Sequence, residues 1–302
     1  MKPLPPSHRA LTRALQTLLV TTALVASSRA ANAQEVLLIY DVTGQCTPDL
    51  QTALTNAGMN VTLSNTSETA YDGTNPSPAN FDAVIHLNGT TYNTEMPVAG
   101  QNALVDYVVN EGGGYIHTEW DAYEIDDRNR QLVMEPITIL ERTSGREGTN
   151  MQYNITASQS SHPVVANVPS TFTFNAGLNI GPARTFGTDP VTVLATDDQG
   201  SAAIAVREFA SGNNGRVVGF NHAGNYANRT ALCDANIQQL FVDAVLWAGV
   251  NPRAERQTVA VDEDNSVNIT LTGRERDNLP LTFNIASAPS NGSLSGTAPN
   301  LI

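Results

Sequence analysis

Five carboxylates crowd into nine residues of this chain: Glu119, Asp121, Glu124, Asp126 and Asp127. A pair of carboxylates can cut a glycosidic bond, one as acid and the other as base or nucleophile, and their separation sets the outcome. Trp120 stands inside the run, where an indole face could stack on a sugar ring. The plainer reading is an acidic, solvated loop with the tryptophan packed beneath it. His117 and His222 supply imidazoles, and with Glu119 they could hold a zinc-like cation if the fold joined them. No H-x-H or H-x-x-x-H spacing supports that, so no metal is expected. His86 lies inside an apolar run and reads as a satisfied core residue. His162 precedes Pro163 and reads as a structural turn residue.

Charge excludes several classes. The chain carries 16 basic and 29 acidic residues, a net charge of −13. Its first 33 residues have the order of a secretory signal: Lys2, Arg9 and Arg13, an apolar run over Ala14–Ala26, then Ala31-Asn32-Ala33 before the cut. The run is shorter than the ~20 residues that span a bilayer, so cleavage is expected and no membrane span. Removal takes Lys2, Arg9, Arg13 and Arg29 and no acid, leaving −17. Such a chain repels phosphate backbones, so nucleic acid is not an expected partner. Lys2 is the only lysine. The mature chain therefore lacks a Walker A lysine, a Schiff-base lysine and a Ser-Lys dyad. The two cysteines, Cys46 and Cys233, are expected to bond in an oxidising compartment.

Elements must position these groups. Val36–Tyr40, Asn60–Leu63, Phe81–Leu87 and Tyr115–Thr118 are short apolar runs suited to buried strands. Helices are expected from Pro48 to Ala57 and around Leu104, Val105, Val108 and Val109, and a last one from Ala235 to Ala248. Val191–Leu194, Ala203–Val206 and Arg216–Phe220 are further strands. Strands alternating with helices predict an α/β fold, a flavodoxin-like doubly wound parallel sheet. Ligands then sit beyond the carboxyl ends of the strands. That rule picks out Asp41, Asn88, Glu119, Asn221 and His222; with the imidazole of His117 and the indole of Trp120 added, the ligand-binding candidates are Asp41, Asn88, His117, Trp120 and Asn221, and the catalytic ones are Glu119 with His222. Cys46 and Cys233 fall at the same end.

Phe81-Asp82-Ala83-Val84-Ile85, the helix after it, and Gly112-Gly113-Gly114-Tyr115-Ile116-His117-Thr118-Glu119 together resemble the class I glutamine amidotransferase-like fold, and within it the trehalose-utilisation (ThuA-like) group. Ser161–Pro169 resembles that group's His-Pro-hydrophobic stretch. Gly215–His222 with the helix carrying Gln238-Gln239-Leu240 and Ala244–Ala248 resembles its final strand and helix. The resemblance covers residues 35–250. It puts Glu119 where amidotransferases carry the nucleophilic cysteine, so glutamine hydrolysis by thiolate attack is not available. It implies a carbohydrate-linked role.

Asn251–Arg256 reads as a linker. Beyond it, Val259–Gly273, Leu279–Ile285 and Pro289–Gly296 resemble the opening of a cadherin-like repeat, a β-sandwich cut short at Ile302. Asp262-Glu263-Asp264 could contribute to a calcium site there, although Arg274–Asn278 replaces the acidic turn such repeats use. No other cofactor is expected. The domains are then 1–33 signal peptide, 34–250 ThuA-like domain, 251–256 linker and 257–302 partial repeat. The leading expectation is a secreted, extracellular or periplasmic ligand-binding module, carbohydrate-associated, within a larger surface protein. The alternatives are a carbohydrate-acting hydrolase using Glu119 with His222, and a structural module whose site has decayed. The first demands that Glu119 and His222 converge. Binding demands an aromatic surface around Trp120 instead. The sequence does not decide an oligomeric state.

Overall fold

The computed structural model describes residues 33–42, 44, 46–147, 150–209, 215–226 and 230–249, with the stretches 253–254, 259, 266–274, 280–285, 289 and 293–302 beyond. The signal segment and Asp262–Asp264 lie outside the described residues, apart from Ala33.

The parallel core holds β1 (Glu35–Tyr40), β2 (Asn60–Leu63), β3 (Ala83–Leu87) and β4 (Gly114–His117). Helices α1 (Thr47–Asn56) and α2 (Val98–Val109) connect them, and α3 (Glu119–Asp126) follows β4. Residues 144–180 add β5 (Ser144–Glu147), β6 (Met151–Ile155), β7 (Thr171–Phe174) and β8 (Gly177–Ile180). Then come β9 (Val191–Asp197), β10 (Ala202–Glu208), β11 (Arg216–Phe220) and α4 (Ala235–Ala248).

One nine-stranded sheet runs β2-β1-β3-β4-β11-β10-β9-β6-β7. Its first five strands are parallel, in flavodoxin order. The other four are antiparallel, which corrects the all-parallel expectation. The reason is covalent. Only residues 198–201 separate β9 from β10, and a parallel neighbour needs a crossover of a dozen residues or more. β5 and β8 pair as a separate ribbon.

β1 explains the two layers. Val36 and Leu38 face Leu50 and Leu54 of α1 and Leu240, Phe241 and Val245 of α4. Leu37 and Ile39 point the other way, to Leu104 and Val108 of α2. Alternate residues on opposite faces, all apolar, are what a strand covered on both sides requires. Gly112 closes the α2 turn at φ +73°, a left-handed backbone, and a Cβ on Gly113 would strike the Tyr107 ring at 2.1 Å. The glycine run is thus a packing requirement of the turn into β4. The His-Pro stretch docks α4: Val164 and Val165 are buried in its core cluster, and the His162 ring lies 5.2 Å from Trp247.

Beyond residue 250 the described residues pair as two-residue strands. Arg253–Ala254 pairs with Gly273–Arg274, and Asn300–Leu301 with both Ile269–Thr270 and Gly296–Thr297.

Candidate functional site

β4 ends at His117, Thr118 is extended, and α3 starts at Glu119. The Glu119 amide donates to the His222 carbonyl at 3.0 Å, stitching the elbow to the end of β11. Among the described residues the non-glycine positive φ values belong to Asn129 and Gln131. Glu119 therefore holds the nucleophile position by order but not in the strained turn that a nucleophile elbow uses. It is 4% exposed, and its Oε1 accepts from Arg142 Nη1 at 3.1 Å.

The acidic run is a helix, and most of it is interior. Each carboxylate has a cationic partner. Arg142 Nε also bonds Asp127 at 2.6 Å, and its Nη1 reaches Asn179 Oδ1 at 2.7 Å. Arg184 grips both oxygens of Asp126, at 2.7 and 2.8 Å. Arg130 grips both oxygens of Glu124, at 3.0 and 2.6 Å. Burial pushes the Glu124 carboxyl up to about 7, and Arg130 opposes it. The expected solvated loop is corrected here. A helix this acidic can be buried because Arg130, Arg142 and Arg184 return to it from later in the chain.

Asp121 faces a buried histidine. Its Oδ1 lies 3.1 Å from His86 Nδ1, and Glu68 Oε1 lies 3.5 Å from His86 Nε2. Tyr115 Oη is 2.8 Å from the same Nδ1. Burial alone would lower the His86 pKa, but Asp121 and then Glu68 raise it to about 10. Glu68 is itself raised, because its burial outweighs the pull of His86. Asp121 is therefore the main holder of the His86 charge. His117 is the opposite case. Ile139 N–H donates to its Nε2 at 3.1 Å, so the proton sits on Nδ1, 3.4 Å from the Thr118 carbonyl. Burial lowers its pKa to about 4, and it is neutral. Fully enclosed and bonded to main chain, His117 packs inside the protein rather than facing a crevice.

The other strand-end residues bond one another. Asp41 accepts from Thr91 N at 2.8 Å and Asn225 Nδ2 at 2.5 Å, and burial raises its pKa against these bonds. Asn88 donates to Asp121 at 2.9 Å. Asn221 donates to the Asn179 carbonyl at 2.9 Å and accepts from Tyr153 Oη at 2.8 Å. That leaves the Tyr153 oxygen to accept from His222 Nδ1 at 2.8 Å. His222 is 0% exposed and ringed by Tyr153, Phe174, Phe220 and Phe241, and burial pushes its pKa down to about 3. The main chains of Glu119 and His222 meet, but their side chains have separate partners: Arg142 for one, Tyr153 for the other.

Four aromatic rings gather at this end of the sheet. Tyr92 follows β3, Trp120 and Tyr123 lie on α3, and Tyr226 follows β11. Tyr92 stacks on Trp120 at 5.2 Å, while Tyr123 and Tyr226 each sit 4.8 Å from it. Trp120 is 7% exposed, and the three tyrosines around it are half-buried. The indole edge fits because residue 89 is glycine. Its φ is +144°, and a Cβ there would come within 2.6 Å of the indole nitrogen. Of the four, only Trp120 was chosen from sequence. The tyrosines are found only once the loops after β3 and β11 converge. The same holds for Arg142, although in a chain whose only lysine is Lys2 its value to so many acids could have been weighed.

Cys46 and Cys233 form a disulfide, with Cα atoms 5.1 Å apart across 187 residues. It joins the start of α1 to the turn before α4, whose cap Asp234 accepts from the amides of Asn236 and Ile237. No helix among the described residues is long and apolar enough to cross a membrane.

No protein-family profile matches the chain. No curated protein matches it either. Solved structures do. A protein described as ThuA-like from Bacteroides uniformis ATCC 8492 is 16% identical with a TM-score of 0.52, over 74% of this chain and 94% of that one. Another, from Parabacteroides merdae ATCC 43184, is 16% identical with a TM-score of 0.51, over 82% of this chain and all of its own. At such identity the likeness is one of architecture, and this chain has the fold of the ThuA-like proteins.

Proposed function

We propose that the protein is an exported ligand-binding module that takes a carbohydrate on the aromatic surface formed by Tyr92, Trp120, Tyr123 and Tyr226. One observation carries this reading: rings from three separate segments converge at the carboxyl end of the parallel sheet, the edge where open α/β sheets receive ligands. Sugar rings present apolar C–H faces to such surfaces, and phenol hydroxyls at the rim can bond their hydroxyl groups. Asp41, Asn88 and Asn221 act in this reading by holding the loops that carry the rings. The hydrolase reading has no comparable support. Glu119 is held by Arg142, and His222 is a neutral imidazole inside an aromatic shell. The signal segment 1–33, the resemblance of 257–302 to a cadherin-like repeat, and the disulfide all fit a place outside the cytoplasm, within a larger surface protein.

The test is a panel of pyranose oligosaccharides screened by thermal shift and tryptophan emission on the secreted chain. A true ligand at a hundred times its Kd should stabilise by about 2.7 kcal/mol. Tyr92→Ala and Tyr226→Ala should each weaken it roughly tenfold without unfolding the protein. If no glycan moves either signal while the fold is intact, the structural-module reading replaces this one.

A further inference from the structure

We propose that the Cys46–Cys233 pair is the oxidised form of a redox-gated metal site, and that on reduction the two thiolates and Asp49 bind one zinc-class divalent cation. The two sulfurs and a carboxylate oxygen of Asp49 already lie within 4.8 Å of one another. Asp49 Oδ2 is 3.7 Å from Cys233 Sγ. Zinc bonds of 2.3 Å at tetrahedral angles set two sulfurs about 3.8 Å apart. With Cα atoms 5.1 Å apart, rotation of the two side chains reaches that spacing while the backbone stays in place.

The surroundings favour thiolate. Cys46 caps the N-terminus of the ten-residue helix α1, and Cys233 stands just before the cap of α4. Helix N-termini lower thiol pKa values. Two sulfurs and one oxygen are a borderline-soft ligand set, which suits zinc over calcium or magnesium. The site is reachable, since Cys233 and Asp49 are exposed while Cys46 is buried beneath them. Three protein ligands leave a fourth position for water.

The chemistry balances with a named reductant. A dithiol gives two electrons and two protons to the Cys46–Cys233 bond and leaves as its own disulfide. The protein then holds two thiols. The cation displaces both protons, giving two metal–sulfur bonds. Metal uptake thus releases protons and weakens as pH falls.

The test uses the full secreted chain, reduced with a phosphine and desalted without air. Cobalt(II) serves as the spectroscopic probe, and zinc then displaces it. The expected result is one equivalent bound with a thiolate-to-cobalt charge-transfer band, none in the oxidised chain, and none in Cys46→Ser/Cys233→Ser. Asp49→Asn should weaken binding about tenfold. Circular dichroism follows the fold throughout. If the reduced chain unfolds, refolding on zinc addition supports the site, and failure to refold or bind overturns it. The proposal also falls if the reduced chain binds no more cobalt than the double serine variant. Unchanged affinity in Asp49→Asn removes the carboxylate and with it the site described here.

Discussion

Asp121→Asn tests the buried charge network most directly. Asparagine keeps the shape and can still accept the Asn88 bond at this position. What disappears is the negative charge 3.1 Å from His86. The His86 pKa stands at about 10 in the fold against 6.5 in the open chain. That difference corresponds to about 5 kcal/mol favouring the charged ring. Asp121 supplies the larger share of the attraction and Glu68 the rest. The substitution should therefore cost about 3 kcal/mol at pH 6, in the range for breaking a buried pair. A raised folded pKa gives stability that is complete below pH 6.5 and lost as pH rises through about 10. His86 alone then removes about 1.4 kcal/mol per pH unit between those limits. Near pH 10 the native ring turns neutral and Asp121 loses its cation, so the variant's deficit should shrink below about 1 kcal/mol. Urea unfolding of both proteins at pH 6, 8 and 10 measures this, and other titrations common to the pair cancel. A deficit that stays constant across pH would mean that Asp121 acts only through hydrogen bonds. A deficit under 1 kcal/mol at pH 6 would mean that His86 is not held charged at all.

Two contrasts follow from the same site. Arg142→Ala removes the bonds to Glu119, Asp127 and Asn179 together. It should cost roughly 2–4 kcal/mol, and Arg142→Lys should recover less than half, because an ammonium has no planar fork to span them; thermal denaturation reads both. His222→Phe removes Nε2, which has no hydrogen-bond partner, and the Nδ1 bond to Tyr153, whose hydroxyl keeps its bond to Asn221. It should change stability by less than about 1.5 kcal/mol by urea midpoint, whereas a structurally essential His222 would show a loss above 3.

The parallel half of the fold was legible because its strands are buried on both faces. Val36–Tyr40 and Arg216–Phe220 are apolar runs that no other environment would favour as strongly. The antiparallel wing hid for different reasons. Ser144-Gly145-Arg146-Glu147 forms an exposed ribbon strand with no apolar face to betray it. Thr171-Phe172-Thr173-Phe174 does alternate, with its phenylalanines buried, so that signal was present in the sequence. The direction of β9 and β10 was also readable from the four residues between them. Helix α3 was not. Glu119-Trp120-Asp121-Ala122-Tyr123-Glu124-Ile125-Asp126 is too polar to announce an interior helix, and the arginines that neutralise it come from positions 130, 142 and 184.

The ends of parallel strands collect polar residues because the chain leaves the apolar layers there. Here several of them bond one another: Asp41 with Asn225, Asn88 with Asp121, Asn221 with Tyr153 and through it His222. Each pair ties the end of a strand to another element, namely the loop after β11, helix α3 or strand β6, so the network fixes that end of the sheet. A group already satisfied in the interior gains nothing from a ligand unless the ligand replaces what it breaks. The half-buried tyrosines pack chiefly on Trp120 and one another, with Arg128 and Arg142 over the Tyr123 ring. The polar network thus frames the carboxyl end of the sheet around the cluster of Tyr92, Trp120, Tyr123 and Tyr226.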